Sequence, residues 1–357
     1  MKIGVFNTAF VGDVALMGQL IDALHAAGHD IFLISNAAGC SIFQCDPRVR
    51  EVTKVKKERG LHKIASIFQI ARQISDLKLD GLLVAHSSFT TGLCAAMSGV
   101  KRIYSFRGSA LSHFSFEKVE RLDGCHESRR YLELCRELVD KKSFDSAQLA
   151  LEGDAALTRF SQAFPDFFSH EQFEFFICSP GSVWQTKRYP PKLLARVVER
   201  LLTERSNLSC VVSGGPQDFG VIDDLFEAFD QSCPHHLTSG RIIDAKSCLP
   251  LTELVELTKR ASFVITPDSA PLHVASATGT RTFALFGPTS AHTGFGPLAA
   301  GSRVVDYPLI VGSPLECQPC SSHGHQICPK RHHRCLADLP PDAVADYLLE
   351  CLTVPNR

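Results

Sequence analysis

The chain has 357 residues, 45% of them hydrophobic and 21% charged, and a formal net charge of −1. That length suits two ordinary domains rather than one, and the composition is that of a soluble globular protein with substantial cores. So neutral a balance argues against a nucleic-acid partner and leaves any steering to local charge.

The opening MKIGVF holds an apolar run shorter than a signal-peptide core, and no stretch qualifies as a membrane span. The expectation is a cytoplasmic protein whose membrane contact, if any, is peripheral. In a reducing compartment the fourteen cysteines read as small buried residues or metal ligands, not as a disulfide framework.

Taken in chain order, short apolar runs at residues 3–6, 31–34, 81–85 and 102–106 predict strands. Between the first two, Val14, Met17, Ile21 and Leu24 recur at helical spacing and stop before Gly28. This βαβ rhythm calls for a parallel sheet covered on both faces. It restarts after residue 165, with strands predicted at 175–178, 208–212, 262–266 and 282–286. Helices are predicted at 192–202, opened by Pro190-Pro191, and at 271–278, with a last one at 342–352. The fold class is therefore α/β, two doubly wound parallel-sheet domains. The expected division is 1–165, 166–340 and a C-terminal helix within 341–357. Ligands in such sheets bind at the carboxyl ends of strands, here expected to face one another across a cleft.

Three strand-end loops carry candidate chemistry. In NTAFVGDV, Gly12 suits a tight turn and Asp13 falls where a helix begins. Asp13 is either a plain helix cap or a carboxylate placed to take a proton, since an aspartate near pKa 3.9 is ionised at neutral pH. In SPGSVWQTKRYP, Gly181 and Ser182 can bring N–H groups and a hydroxyl to an anion, and Lys187 adds a point charge. The alternative is a solvated loop. In TPDSAPLHVA, the unpaired N–H groups of the helix start at Ser269 and Ala270 can hold a pyrophosphate, and Asp268 suits sugar hydroxyls better than phosphate. The alternative is again a cap, with His273 an ordinary helix histidine.

Together with VVSGGP and TRTFALFGPTS, these motifs occur in the order seen in bacterial ADP-heptose:lipopolysaccharide heptosyltransferases, a glycosyltransferase family of GT-B architecture, and the resemblance covers nearly the whole chain. The SPGSVWQTKRYP loop looks more like the type that adds the second heptose. The resemblance implies an inverting transfer from ADP-heptose to a lipid-linked core oligosaccharide, at the inner face of the cytoplasmic membrane, with no cofactor required. It places the catalytic base on Asp13, phosphate contacts on Ser182, Thr186 and Lys187, and the donor-sugar aspartate on Asp268. Ser269, Ala270, His273, Gly287 and Thr289 complete the implied donor set. Ala270 departs from the family's usual glycine and narrows the approach of the donor.

The basic, partly apolar stretch 54–72 contains Lys56, Lys57, Arg59 and Lys63. It reads as a membrane- or acceptor-facing surface, or as an ordinary solvated helix face. Arg107 and the His126-Glu127 pair are further acceptor-side candidates. Cys317, Cys320, Cys328 and Cys335, with four histidines among them, have the density of a structural zinc site; plain reduced thiols are the alternative. The competing functions are transfer from another nucleotide-sugar donor, a nucleotide-sugar epimerase on the same fold, or a non-catalytic nucleotide-binding protein.

Overall fold

A computed structural model describes residues 1–58, 60–112, 116–169 and 174–353. Two compact units divide between Ala155 and Ala156. The first sheet comprises β1 (Lys2–Asn7), β2 (Asp30–Ser35), β3 (Val49–Lys54), β4 (Gly81–Val84), β5 (Ile103–Phe106) and β6 (Phe116–Val119). The second comprises β7 (Glu174–Cys178), β8 (Leu208–Val212), β9 (Ile242–Asp244), β10 (Phe263–Pro267), β11 (Thr282–Phe286) and β12 (Arg303–Asp306). Their spatial orders, β3-β2-β1-β4-β5-β6 and β12-β11-β10-β7-β8-β9, are the same permutation. Every strand pairing is parallel.

Alternation along the central strands explains how each sheet is covered. In β7, Phe176 and Cys178 point to one apolar cluster, with Cys210 and Val212 of β8. Phe175 and Ile177 point to the other, with Val211. Both faces are thus dry, as a parallel sheet flanked by helices requires. Across the strands, the Phe176 and Phe263 rings stack at 4.7 Å and Phe283 meets Phe263 edge-on at 5.5 Å. In the first unit one cluster gathers Phe6, Ile34, Leu82 and Val84 under Ile67, Ile70 and Ile74 of the helix Lys63–Asp76. All fourteen cysteines are free, and Cys40, Cys94, Cys135, Cys178, Cys210, Cys233 and Cys351 are buried as small apolar residues.

Three sequence expectations shift. The unit boundary lies about ten residues before Pro165, because the helix Thr158–Ala163 belongs to the second unit. The Glu253 carboxylate accepts from the Arg159 and Phe160 N–H groups at its first turn, both at 3.0 Å, and the Phe160 ring meets Phe167 edge-on at 4.9 Å. The single helix expected through Val14 and Leu24 is two, Val11–Ala15 and Gly18–Ala26. The last helix, Pro341–Thr353, packs within the second unit, where Leu348 and Cys351 join the core beside the helix Pro191–Glu204.

Candidate active site

Each unit has its own sheet crossover, β1 beside β4 in the first and β7 beside β10 in the second, and the candidate residues of each unit lie in the loops that leave these strands. In the first unit, the loop after β1 is pinned by side chains. Asn7 Oδ1 accepts from the Ala9 N–H at 2.9 Å, and Asn36 Nδ2 donates to the Ala9 carbonyl at 2.9 Å. Asp13 is the third residue of the helix Val11–Ala15, whose cap residue is Phe10, so the capping reading is excluded. Gly12 likewise lies inside that helix rather than in a turn. Burial, and then the nearby Glu127 carboxylate, push the Asp13 pKa up to about 6, well above the ordinary value expected from sequence. Bonds from the Phe10 backbone and from the buried Tyr131 hydroxyl partly oppose that rise. Glu127 is itself buried and accepts from Arg121 Nη2 at 2.8 Å on both oxygens and from Arg130 Nη1 at 2.8 Å. Glu127, paired with His126 as an acceptor-side candidate in the sequence, acts instead on Asp13, and Tyr131 escaped the sequence reading because it lies more than a hundred residues from Asp13 on a helix without a motif.

Beside this loop, at the end of β4, His86 Nδ1 lies 3.0 Å from Thr8 Oγ1. Burial and then Lys57 lower the His86 pKa to about 4, so the ring is neutral at neutral pH. Lys57 donates to Ser88 Oγ at 3.2 Å and Thr91 Oγ1 at 2.6 Å, and burial lowers its pKa to about 8. Among the described residues no carboxylate pairs with it. The other acceptor-side candidates separate. Lys56 is exposed and paired with Glu58 at 2.7 Å, and Lys63 is exposed at a helix start. Arg107 is exposed and paired with Glu120. His126 caps the helix Glu127–Glu133, its Nδ1 accepting from the Ser128 N–H at 3.2 Å. Arg59 lies outside the described residues. The helix Lys63–Asp76 buries Ile67 and Ile70 but leaves Ile64 and Phe68 67% and 58% exposed.

In the second unit, the loops after β7, β10 and β11 bring Lys187, Asp268 and Thr289 together. Lys187 Nζ stands 2.6 Å from Asp268 Oδ2, and Thr289 Oγ1 donates to the same oxygen at 2.8 Å. All three side chains are buried. Asp268 is therefore no cap; Ser269 holds the cap position of the helix Ala270–Thr278 and makes no side-chain capping bond. In its first turn Pro271 has no N–H and the Leu272 N–H donates to the Ser269 carbonyl at 3.0 Å, which leaves the Ser269 and Ala270 N–H groups as the anion-facing candidates. Ser182 is buried, and its carbonyl accepts from Arg188 Nε and Nη2 at 2.9 and 2.6 Å, a clamp the sequence did not announce. Gly287 has a packing reason: a Cβ there would stand 2.7 Å from Leu336 Cγ. His273 is buried one turn into its helix, edge-on to Phe295 at 5.7 Å. Thr186 bonds to the cysteine-rich segment: its Oγ1 donates to the His325 carbonyl at 2.8 Å.

The four tail cysteines lie within electrostatic reach of one another. Burial and then Cys320, Cys328 and Cys317 push the Cys335 thiol up to about 12. They are not drawn in as a ligand set, however. Among the described residues no group of three or more His, Cys, Asp or Glu side chains is arranged to hold a metal ion. Cys317 Sγ is 3.8 Å from His332 Nε2. Also among the described residues, no helix is long and apolar enough to cross a membrane.

An 89-residue stretch is 33% identical to lipooligosaccharide heptosyltransferase 2 of Campylobacter jejuni, covering 25% of either chain. The chain thus spans a quarter of the length of that curated relative. A glycosyl transferase family 9 structure from Veillonella parvula superposes with a TM-score of 0.78 at 20% identity, over 99% of this chain and 97% of that one. The E. coli ADP-heptose lipopolysaccharide heptosyltransferase II does so at 0.74 and 19%, over 99% of both. These superpositions establish the two-sheet GT-B fold. Residues 67–327 match the model of glycosyltransferase family 9 (heptosyltransferase), well over half of the sequence, and the chain belongs to that family.

Proposed function

We propose that the chain transfers a heptose from ADP-heptose to the inner core of lipopolysaccharide, with inversion at the anomeric carbon. The acceptor hydroxyl attacks that carbon, the bond to the pyrophosphate oxygen breaks, the hydroxyl proton passes to Asp13, and ADP leaves. A base with a pKa of about 6 is ionised at neutral pH yet basic enough to share the proton as the new bond forms. The departing pyrophosphate gains charge, which Lys187 and the N–H groups at Ser269 and Ala270 offset from fixed positions. In this scheme Lys187 leaves Asp268 for the donor phosphates, and Asp268 turns to the sugar hydroxyls.

The observation that carries the reading is the buried Lys187–Asp268–Thr289 constellation at the crossover of the second sheet, in a chain of this family. On the acceptor side, Lys57 is the best-supported anchor for an acidic group, being half-buried and hydroxyl-bonded without a counter-charge among the described residues. Exposed Ile64 and Phe68 beside Lys63 support peripheral contact with the inner face of the cytoplasmic membrane. Co-sedimentation with anionic liposomes tests that contact, and recovery wholly in the supernatant removes it.

Structural zinc at Cys317, Cys320, Cys328 and Cys335 is the remaining part. A cation there would relieve the mutual repulsion of the thiolates, though as placed the four do not enclose one. Metal analysis of protein prepared without chelators tests it, and less than one ion per chain discards it. The transfer itself is tested by mixing the chain with ADP-heptose and heptose-deficient lipopolysaccharide. Release of ADP only when acceptor is present supports the reading; no release with any truncated core overturns it.

A further inference from the structure

The cysteine- and histidine-rich residues 320–333 form neither strand nor helix, yet they are bonded to both loops that carry the donor-side residues. On one side, the Cys320 and Ser321 N–H groups donate to the Pro288 carbonyl at 2.9 and 3.1 Å, next to Thr289. On the other, Thr186 and His325 bond reciprocally. The Thr186 N–H and hydroxyl donate to the His325 carbonyl at 3.1 and 2.8 Å, and the His325 N–H donates back to Thr186 Oγ1 at 2.8 Å. His333 Nε2 donates to the Thr186 carbonyl at 2.7 Å, and Gln326 Nε2 to that of Val183 at 3.0 Å. Gly324, at φ +94°, lies against Lys187 itself: a Cβ there would stand 3.1 Å from Lys187 Cε and Cγ and 2.8 Å from Trp184 Cβ.

These bonds meet a need. Lys187 ends a three-residue 3-10 turn, Gln185–Lys187, whose own bonds are those of the Lys187 and Arg188 N–H groups to the Trp184 and Gln185 carbonyls, both at 3.0 Å, so the Thr186 N–H and carbonyl depend on partners outside it. A lone ammonium recognises a pyrophosphate well only where its backbone is held to a fraction of an ångström. His333 takes the left-handed conformation, φ 49°, which a side chain with a Cβ disfavours and which persists only where surrounding contacts over-determine it. The ends of the segment are also tied down. Cys335 and Leu336 are buried beneath Gly287, and the Leu339 carbonyl accepts from the Tyr189 hydroxyl at 2.8 Å.

We infer that residues 320–333 are a strap that sets the spacing of the two donor loops, with His333 the positioning residue that aims Lys187 through the Thr186 carbonyl. The inference rests on the reading of Lys187 as a pyrophosphate contact. The test is calorimetric titration of the intact chain with ADP, for the parent and for Lys187→Ala, His333→Ala, His333→Gln and Gly324→Ala, each with a thermal melt. Glutamine can offer an N–H to the same carbonyl. The expected result is weaker ADP binding in Lys187→Ala, a loss of about threefold to tenfold in His333→Ala, as one lost hydrogen bond gives, and recovery to within about twofold in His333→Gln. Gly324→Ala is expected to weaken ADP by pressing on Lys187 while still melting cooperatively. Parent-like affinity in both His333→Ala and Gly324→Ala, with Lys187→Ala weakened, overturns the strap and spares the donor reading. Equal loss in His333→Ala and His333→Gln also overturns it. Unchanged affinity in Lys187→Ala removes the donor reading and the strap with it.

Discussion

The two units share one strand permutation and differ entirely in what they place at its crossover. At the end of β1 the first unit holds an acid whose proton affinity is raised by burial and by a second carboxylate, next to a neutral imidazole. After β7 and β10 the second unit holds an ammonium and a carboxylate 2.6 Å apart, with a hydroxyl from the loop after β11 on the same oxygen. Identical backbone topology thus carries two electrostatic arrangements. The crossover supplies an open position at the strand ends, and the loop residues decide which charges stand there.

Substitutions that strip each crossover of its character break this comparison most sharply. Asp13→Asn is expected to lower kcat by about a hundredfold or more, the usual worth of a general base, with ADP affinity unchanged. Near-parent turnover in steady-state assays would take Asp13 out of that role. The mirror experiment is Lys187→Ala, expected to weaken ADP-heptose by about tenfold or more, as loss of a charge-assisted contact does. A donor titration that superposes on the parent's would show that the second crossover binds no phosphate.

Two smaller effects sharpen the contrast. Gly287→Ala is expected to cost about 1–3 kcal/mol of stability, because its Cβ would be driven into Leu336. Denaturant unfolding with an unshifted midpoint would contradict the packing. The smallest effect concerns the acid limb. The rate should rise with pH through about 6 as Asp13 ionises. Glu127→Gln removes a negative neighbour, favours the charged form of Asp13, and should move that limb to lower pH. A limb that stays in place would detach Glu127 from the tuning of Asp13.

How far the sequence could be read follows from burial. The eight strands whose apolar runs were legible, β1, β2, β4, β5, β7, β8, β10 and β11, lie inside the two sheets or next to an edge. The four that were not, β3, β6, β9 and β12, are all edges. VREVTK, FEKV, IID and RVVD are short or charged because one side of each strand is left without a partner, so no dry run is needed. Lys187, Asp268 and Thr289 were legible as motif residues after strands. That Lys187 and Thr289 converge on one oxygen of Asp268 was not.

By itself the sequence determined the α/β rhythm, the two-unit plan and the loops that carry charge, since these follow from local periodicity and turn chemistry. Tertiary structure decided the protonation chemistry and the partners. Asp13 acquires its raised pKa from burial and from Glu127, a residue 114 positions away, and the Thr186 carbonyl, next to Lys187 in the chain, accepts from His333, 147 positions away. Burial, electrostatic coupling and hydrogen bonding act through space, and no window along the chain contains them.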